Sequence, residues 1–406
     1  MGPHPAVAAI RHAVRDALAG LAAGDLAAGD LASGDPVAED PVAGDLAPAG
    51  PVLVACSGGA DSLALAAALA FEARRAGLTA GGITIDHGLQ AGSAAQAARV
   101  VTVLEGLGLD PVLSAVVDVT GRARVNDAAG VPAPAGEPGV PAPPGVPGAA
   151  GPPGSYQGPA AAARTARYAA LDRAAERAGG WIMLGHTLDD QAETVLLGLA
   201  RGSGARSLAG MAPVAGRYLR PLLGIRRAQT RAACAALGLQ PWDDPHNEDP
   251  AFTRVRVRQL MPALTEALGP GVPEALARTA GLLRADAEVL DSLAEAEAAQ
   301  LGGTAAALAE GWQAAALASL PAAIRHRLLR AAALAAGCPA GALSQRHIAS
   351  LNQLVTGWRG QRWADLPGGV RCARQYGRLL FTRPGGPGVA PGARTGAQSE
   401  DAGGRE

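Results

Sequence analysis

Residues 51–200 alternate short apolar runs with helical patterns, and this alternation leaves the chain few architectures. PVLVAC at 51–56 is an apolar run of strand length, and a helical pattern follows from Asp61 to about Arg75. GGITID at 81–86 predicts a second strand, and AAQAARVVTVLEGLG supplies the next helix. A third strand around 112–117, a helix at 160–178, the strand WIMLG at 181–185 and a helix from Asp189 to Ala200 continue the series. Strands separated by helices of this length predict an α/β fold with a parallel, doubly wound sheet.

Two stretches interrupt the pattern. Residues 1–20 carry an amphipathic helix, PAVAAIRHAVRDALAG, and residues 21–45 then repeat a five-residue unit beginning LAAGD, LAAGD, LASGD. That acidic repeat has too few large apolar groups to offset ordering entropy, so 21–50 is expected to be a disordered insertion. The stretch 126–159 is built of Pro, Gly and Ala, with Gly at every third position from Gly130 to Gly154 except Ala133 and Ala142. Those interruptions argue against a triple helix and for a polyproline II linker. LGPGVP at 268–273 is the expected domain boundary, which bounds the first domain at 51–267. Beyond it, Ala/Leu/Arg-rich helices at 273–299, 321–336 and 344–355 and a short β-like piece at 365–382 predict a smaller, mostly helical C-terminal domain. Residues 383–406 read as a disordered tail.

Composition excludes several chemistries. All 35 basic residues are Arg, so a P-loop lysine, a Schiff-base lysine and a lysine general base are ruled out together. The formal charge of -1 hides an acidic first 50 residues, with two Arg against seven Asp or Glu, and a body of +4. A mildly positive body leaves the partner open, and steering of an RNA would rest on local Arg clusters. Cys56, Cys234, Cys338 and Cys372 form no C-x-x-C pair, which disfavours disulfide scaffolds and cysteine zinc sites. No signal peptide and no run of about 18 apolar residues is present, so a cytoplasmic location without a membrane span is expected.

The chemistry concentrates in a few strings. VACSGGADS places Ser57, Gly58, Gly59, Asp61 and Ser62 between the first strand and the first helix. The glycines let backbone approach an anion, the helix N-terminus offers free N–H groups and the serines offer hydroxyls, which together make a phosphate cradle without a lysine. Asp61 repels phosphate, so its natural task is a Mg²⁺ that bridges phosphate oxygens. A plain capped strand-to-helix turn is the competing account. Asp86 and His87 end the second strand, where open parallel sheets bind ligands, although His87 also fits an idle turn. Arg164 and Arg167 share a helix face and can clamp a phosphate or a developing charge, or line a solvated face. Asp190 and Glu193 share another face, with His186 just before the helix. That trio suits a divalent metal or an ammonium ligand, against the alternative of an acidic first turn matched to the helix dipole. Arg254, Arg256 and Arg258 alternate as an extended segment would to send all three one way, a phosphate-contacting stripe reinforced by Arg201, Arg206, Arg226 and Arg227.

SGGADS resembles the SGGxDS signature of PP-loop ATP pyrophosphatases, which cleave ATP to AMP and pyrophosphate. Further strings are similar to the tRNA(Ile)-lysidine synthetase family in particular. These are IDHGLQAGSAAQA at 85–97, AARTARYAAL at 162–171, LGHTLDDQAETVLLGLARGSG at 184–204 and DDPHNEDPAFTRVRVRQLMP at 243–262. They span 51–262 in the family's order apart from the 126–159 insertion, while the region after 273 is only loosely similar to the family's first C-terminal domain. The chain departs at Gln90, where the family has Arg, at Thr187, which replaces one of two adjacent His, and at Val255, which replaces Asn.

The resemblance implies an adenine nucleotide alpha hydrolase-like fold that binds ATP with Mg²⁺ on Asp61. It implies ATP contacts from Ser57, Gly58, Gly59, Asp61, Ser62, Asp86 and His87, and catalytic roles for Asp61, Arg167 and His186. It also implies lysine recognition by Asp190 and Glu193, and contact with an isoleucine tRNA bearing a CAU anticodon through Arg201, Arg206, Arg254, Arg256 and Arg258. L-lysine and ATP are the other expected partners, and a homodimer is left open. Two rivals are a PP-loop tRNA thiolation enzyme and a nucleotide- or RNA-binding module without catalysis; the spacing of the four cysteines weighs against the first.

Overall fold

The computed structural model describes residues 2–23, 50–86, 88, 92–117, 123–127, 159–202, 204–244 and 248–383. Residues 24–49 of the expected acidic insertion, most of the 126–159 insertion, residues 384–406 of the tail, His87 and Gln90 lie outside the described residues, while the first residues of the expected insertion instead continue the N-terminal helix to Ala22, with Leu21 buried. The chain divides into two compact units, Met1–Ala287 and Glu288–Glu406.

The first unit is the predicted α/β sheet. Its elements run α1 (Pro5–Ala22), β1 (Val52–Ala55), α2 (Ala60–Ala76), β2 (Ala80–Asp86), α3 (Ser93–Gly106), β3 (Val112–Val117), β4 (Ala123–Asp127), α4 (Pro159–Ala178), β5 (Trp181–Leu184) and α5 (Leu188–Ala200). There follow α6 (Ala205–Leu208), β6 (Val214–Ala215), β7 (Tyr218–Leu219), α7 (Arg227–Ala236), α8 (Thr253–Leu268) and the long α9 (Val272–Gln300). Among the described residues the sheet order is β4-β3-β2-β1-β5-β7-β6. The five inner strands are parallel, and the edge strands β4 and β6 are antiparallel.

The strands are apolar throughout because helices cover both faces. Val52 and Val54 of β1 and Trp181 and Met183 of β5 pack toward α1, α2 and α7, while Leu53, Ile182 and Leu184 face Tyr168, Leu171 and Ala174 of α4. The N-terminal helix is thus part of the core: Ile10, Val14 and Leu18 are buried, and Arg15 pairs with buried Glu72 at 2.9 Å. Strand order reverses between β1 and β5. At such a switch point the loops leaving the two strands diverge and open a crevice at their carboxyl ends.

The expected turn at 268–273 is present between α8 and α9, but the division between the units falls further on, inside α9. In the second unit α10 (Gly303–Ala309), α11 (Ala314–Ser319), α12 (Ala322–Ala335) and α13 (Gln345–Thr356) pack with an antiparallel sheet. Its strands are β8 (Trp312–Gln313), β9 (Ala364–Asp365), β10 (Arg371–Gln375) and β11 (Arg378–Thr382), in the order β8-β11-β10-β9. The unit is mostly helical, as expected, and the β-like piece at 365–382 supplies three of the four strands.

Candidate functional site

The crevice at the switch point is a cavity of about 450 Å³. Its floor is the loop between β1 and α2. Gly58 has φ +85°, a conformation in which a side chain is strained, and a Cβ there would also meet Gln96 Nε2 at 2.6 Å and Val100 Cγ2 at 2.9 Å. Ser62 braces the loop from below: its hydroxyl accepts from Ser57 N–H at 3.2 Å and donates to the Gly59 carbonyl at 3.0 Å. The loop is held from the other side by the Trp242 N–H, which donates to the Gly58 carbonyl at 2.9 Å. Ser57, Gly59, Asp61 and Ser62 all line the cavity.

Opposite the loop, β5 ends at Gly185, where a Cβ would lie 3.1 Å from Ser62 N and 3.2 Å from Asp61 C. A glycine here lets the end of β5 approach the start of α2. Thr187 then caps α5; it is fully buried and forms a reciprocal capping box with Asp190. Asp190 Oδ2 accepts from both the backbone N–H and the hydroxyl of Thr187 at 2.8 Å. Asp190 therefore serves the helix cap and the cavity at once, and Thr187, a departure from the family pattern, has a structural task.

One guanidinium joins three acids, of which Asp61 and Asp190 line the cavity and Glu193 does not. Arg227, the first residue of α7, places Nη2 at 2.7 Å from Asp190 Oδ1, Nη1 at 3.5 Å from Glu193 Oε1 and Nε at 3.5 Å from Asp61 Oδ2. Glu193 is almost fully buried and also accepts from Arg258 Nε at 2.8 Å. Thr230, one turn along α7, donates its hydroxyl to Asp61 Oδ1. Burial pushes the Asp61 carboxyl above its ordinary value against these partners. Burial would also raise Asp190, but the Arg227 guanidinium and the Thr187 donors outweigh it and hold that carboxyl below its usual range. Burial drives His186 down to about 4, so it is a neutral imidazole at neutral pH. Its Nδ1 is buried without a hydrogen-bond partner among the described residues.

Arg164 and Arg167 both line the cavity from α4, as their spacing on one helix face predicted. Asp86 is buried at the end of β2 and accepts from the Gly88 N–H at 2.9 Å; it is not among the cavity-lining residues, although Ile83 and Ile85 of the same strand are. The Arg254–Arg256–Arg258 segment is not extended. It opens α8, so Arg254 and Arg258 share one helix face and Arg256 leaves it. Arg254 Nη2 lies 3.4 Å from Thr194 Oγ1 and Arg258 enters the cavity, whereas Arg256 folds back on the Pro250 and Ala251 carbonyls. Val255 is buried between them. Arg226 pairs with Asp189 and Glu274 rather than extending a free stripe. Arg201 ends α5 at the surface, and Arg206 lies on α6.

The placement of Arg227 and Thr230 at Asp61 was not anticipated, nor were Gly185 and Trp242. Arg227 and Thr230 are three apart at a helix start and so share a face, which is the local signal that could have found them. The cysteines of this unit are buried; burial pushes the Cys56 thiol up and Cys234 to about 11, so neither is a thiolate at neutral pH. Among the described residues no cluster of three or more His, Cys, Asp or Glu is arranged to hold a metal by itself.

The second unit carries a different surface. Residues 311–383 hold ten Arg against one acid, Asp365. Trp358 and Trp363 are exposed, with Arg374 5.2 Å from the first ring and Arg371 5.0 Å from the second, and Tyr376 at the β10–β11 turn is 99% exposed.

Comparison with known proteins agrees with the strings noted in the sequence. The chain matches the PP-loop domain family over residues 39–131 and 154–264 and the TilS substrate binding domain over 313–380. A tRNA(Ile)-lysidine synthase of Streptomyces coelicolor is 54% identical over 94% of this chain and 99% of its own length. Those of Thermobifida fusca and Salinispora arenicola are 50% and 48% identical, again over 94% of this chain and over 99% and 97% of their own lengths. With half its sequence identical to such proteins across almost their whole length, and with a PP-loop domain that uses ATP built around the cavity, the chain belongs to the tRNA(Ile)-lysidine synthase family.

Proposed function

We propose that this chain is a tRNA(Ile)-lysidine synthetase, a ligase that forms a carbon–nitrogen bond at the expense of ATP. The carbonyl oxygen at position 2 of the wobble cytidine, in an isoleucine tRNA with a CAU anticodon, attacks the α-phosphate of ATP and pyrophosphate leaves. The ε-amino group of free L-lysine then attacks that carbon and AMP leaves with the oxygen, giving lysidine, which pairs with A rather than G.

The observation that carries this reading is contiguity: an anion cradle, Ser57–Ser62, shares one cavity with Asp190, and Arg227, which lines the same cavity, joins Asp190 to buried Glu193 in an acidic pair suited to an ammonium group. The first suits the pyrophosphate leaving group and the second the lysine side chain. Arg164 and Arg167, which line the cavity, would offset the negative phosphate of the adenylated base, and neutral His186 would offer a hydrogen bond to the reacting groups. Ser62, which also lines the cavity, holds the loop through its hydroxyl and is assigned to the nucleotide with Ser57, Gly58 and Gly59. Asp86 and His87 at the end of β2 are assigned to the nucleotide.

A Mg²⁺ fits the residues present. Asp61 is a desolvated carboxylate beside the cradle, and with no cluster among the described residues to complete the shell the ion would take its other ligands from phosphate oxygens and water. Bound there, it would neutralise charge on the departing pyrophosphate. tRNA contacts are assigned to Arg258 in the cavity, to Arg201, Arg206, Arg254 and Arg256, and to the Arg- and Trp-rich face of the second unit. Exposed aromatic rings there can stack on unpaired bases while guanidinium groups meet phosphates. The reaction is placed in the cytoplasm, on a chain acting singly or as a homodimer; among the described residues no helix is long and apolar enough to cross a membrane.

Mass spectrometry of isoleucine tRNA incubated with the protein, ATP and L-lysine tests the proposal. The expected result is a gain of one lysine less one water at the wobble cytidine, dependent on both small molecules. No gain would overturn the lysidine reading, and replacement of an oxygen by sulfur would favour thiolation.

A further inference from the structure

The carboxylates that the proposed reaction needs are already engaged by a side chain of the protein. Arg227 is anchored at its backbone, where its N–H donates to Asp189 Oδ2 at 2.7 Å. Its guanidinium spans Asp190, Glu193 and Asp61 at 2.7, 3.5 and 3.5 Å. In this state a cation of the protein fills the place assigned to the lysine ammonium, and the same cation lies against the phosphate loop. We propose that Arg227 is a positioning residue that orders substrate binding: without nucleotide it occupies the ammonium site, and the phosphates of ATP draw it away, opening Asp190 and Glu193 to lysine. The inference rests on the lysidine reading above and on the assignment of the acidic pair to lysine.

Three features make such a displacement feasible. A guanidinium pairs bidentately with phosphate, so a triphosphate in the cradle competes directly with the carboxylates for Arg227. The acids do not all lose their partners when it leaves. Arg258 Nε stays 2.8 Å from Glu193, Thr187 stays 2.8 Å from Asp190, and the Thr230 hydroxyl stays on Asp61. The side chain is 22% exposed on the cavity, so it moves through open space rather than through the core. What remains after displacement is a buried acidic pair short of one positive charge, the condition under which an incoming ammonium group is favoured.

The test is equilibrium dialysis of labelled L-lysine against the full-length protein with Mg²⁺, with and without the unreactive analogue α,β-methylene-ATP. Coupling free energies between sites correspond to about 5–150-fold in affinity, so the analogue should tighten lysine binding by at least about fivefold, and lysine should tighten analogue binding equally. In Arg227→Gln, lysine should bind without analogue about as tightly as it binds the wild type with it, and the analogue effect should disappear. A wild-type affinity indifferent to the analogue would overturn the proposal. So would a folded Arg227→Gln that loses lysine binding under both conditions, since Arg227 would then build the site rather than cover it. If Arg227→Gln fails to show a cooperative thermal transition, Arg227→Lys decides. Its compact ammonium cannot span three carboxylates, so the analogue effect should shrink, and an unchanged effect overturns the proposal. The tRNA mass measurement separates the two levels: lysine added to tRNA without any analogue effect removes only the role of Arg227, whereas no lysine added removes the reaction on which it rests.

Discussion

Glu193→Gln is the change that most directly probes the acidic pair. The carboxylate is 2% exposed and accepts from Arg258 Nε at 2.8 Å, Arg258 Nη2 at 3.4 Å and Arg227 Nη1 at 3.5 Å. The amide keeps the shape but removes the charge, and its NH₂ group can only oppose the guanidinium donors. A lost charge-assisted hydrogen bond is worth about 1.5–3 kcal/mol. Both arginines reach the cavity and can turn toward water, so the folding cost should fall near the low end, about 1–2 kcal/mol, or a melting temperature lower by about 2–8 °C. Against lysine the same loss appears undiluted because the ammonium must be desolvated in the site. The lysine KM should rise by about tenfold to a hundredfold while the ATP KM changes little. The assay is AMP formation at saturating tRNA, with lysine and ATP varied in turn. A raised ATP KM with an unchanged lysine KM would show that Glu193 serves the nucleotide or its metal, and the lysine site would have to be moved.

Three further outcomes follow from the same geometry. Asp61→Ala should abolish pyrophosphate release while tRNA binding, measured by filter retention, stays near normal; substantial release in that variant would remove the metal role of Asp61. His186 is held down to about 4, below the roughly 6.5 of a free imidazole, so between those values the unfolded chain binds a proton that the folded chain does not. Its contribution is therefore fully present above about pH 6.5 and lost as pH falls toward 4; urea midpoints of His186→Asn should fall less steeply than wild type over that window, and parallel curves would refute the assignment. Arg362→Glu combined with Trp363→Ala should weaken tRNA binding by about tenfold and flatten its salt dependence, with pyrophosphate release at saturating tRNA unchanged; an unaltered tRNA affinity would dissociate the aromatic face of the second unit from RNA.

The parts of this molecule that were legible in the sequence are those whose cause is local. An apolar run followed by Ser-Gly-Gly and a helix can only be a strand, a turn that lets backbone approach closely and a helix N-terminus, and Gly58 at φ +85° fulfils that demand. Arg164 and Arg167 reach one cavity because three residues along a helix return to the same face. RVRVR at 254–258 fails the same test instructively. Alternating Val and Arg carries the period of a strand, yet the segment opens α8, because a helix aims Arg258 at Glu193 and Arg254 toward Thr194 of α5 while burying Val255. Partners distant in sequence outweigh a two-residue period whose intrinsic preference is about 1 kcal/mol at most. Arg227 was misjudged for a related reason. As one of two adjacent arginines it looks like a basic surface, and only the fold brings Asp61, Asp190 and Glu193 around it from two other helices. The two accounts of Asp190 do not exclude each other, since one oxygen completes the helix cap and the other is left to face Arg227. A cap fixes the rotamer of the carboxylate it employs, so the group that helps to start the helix is also held rigid, which is what the proposed ligand site requires of it.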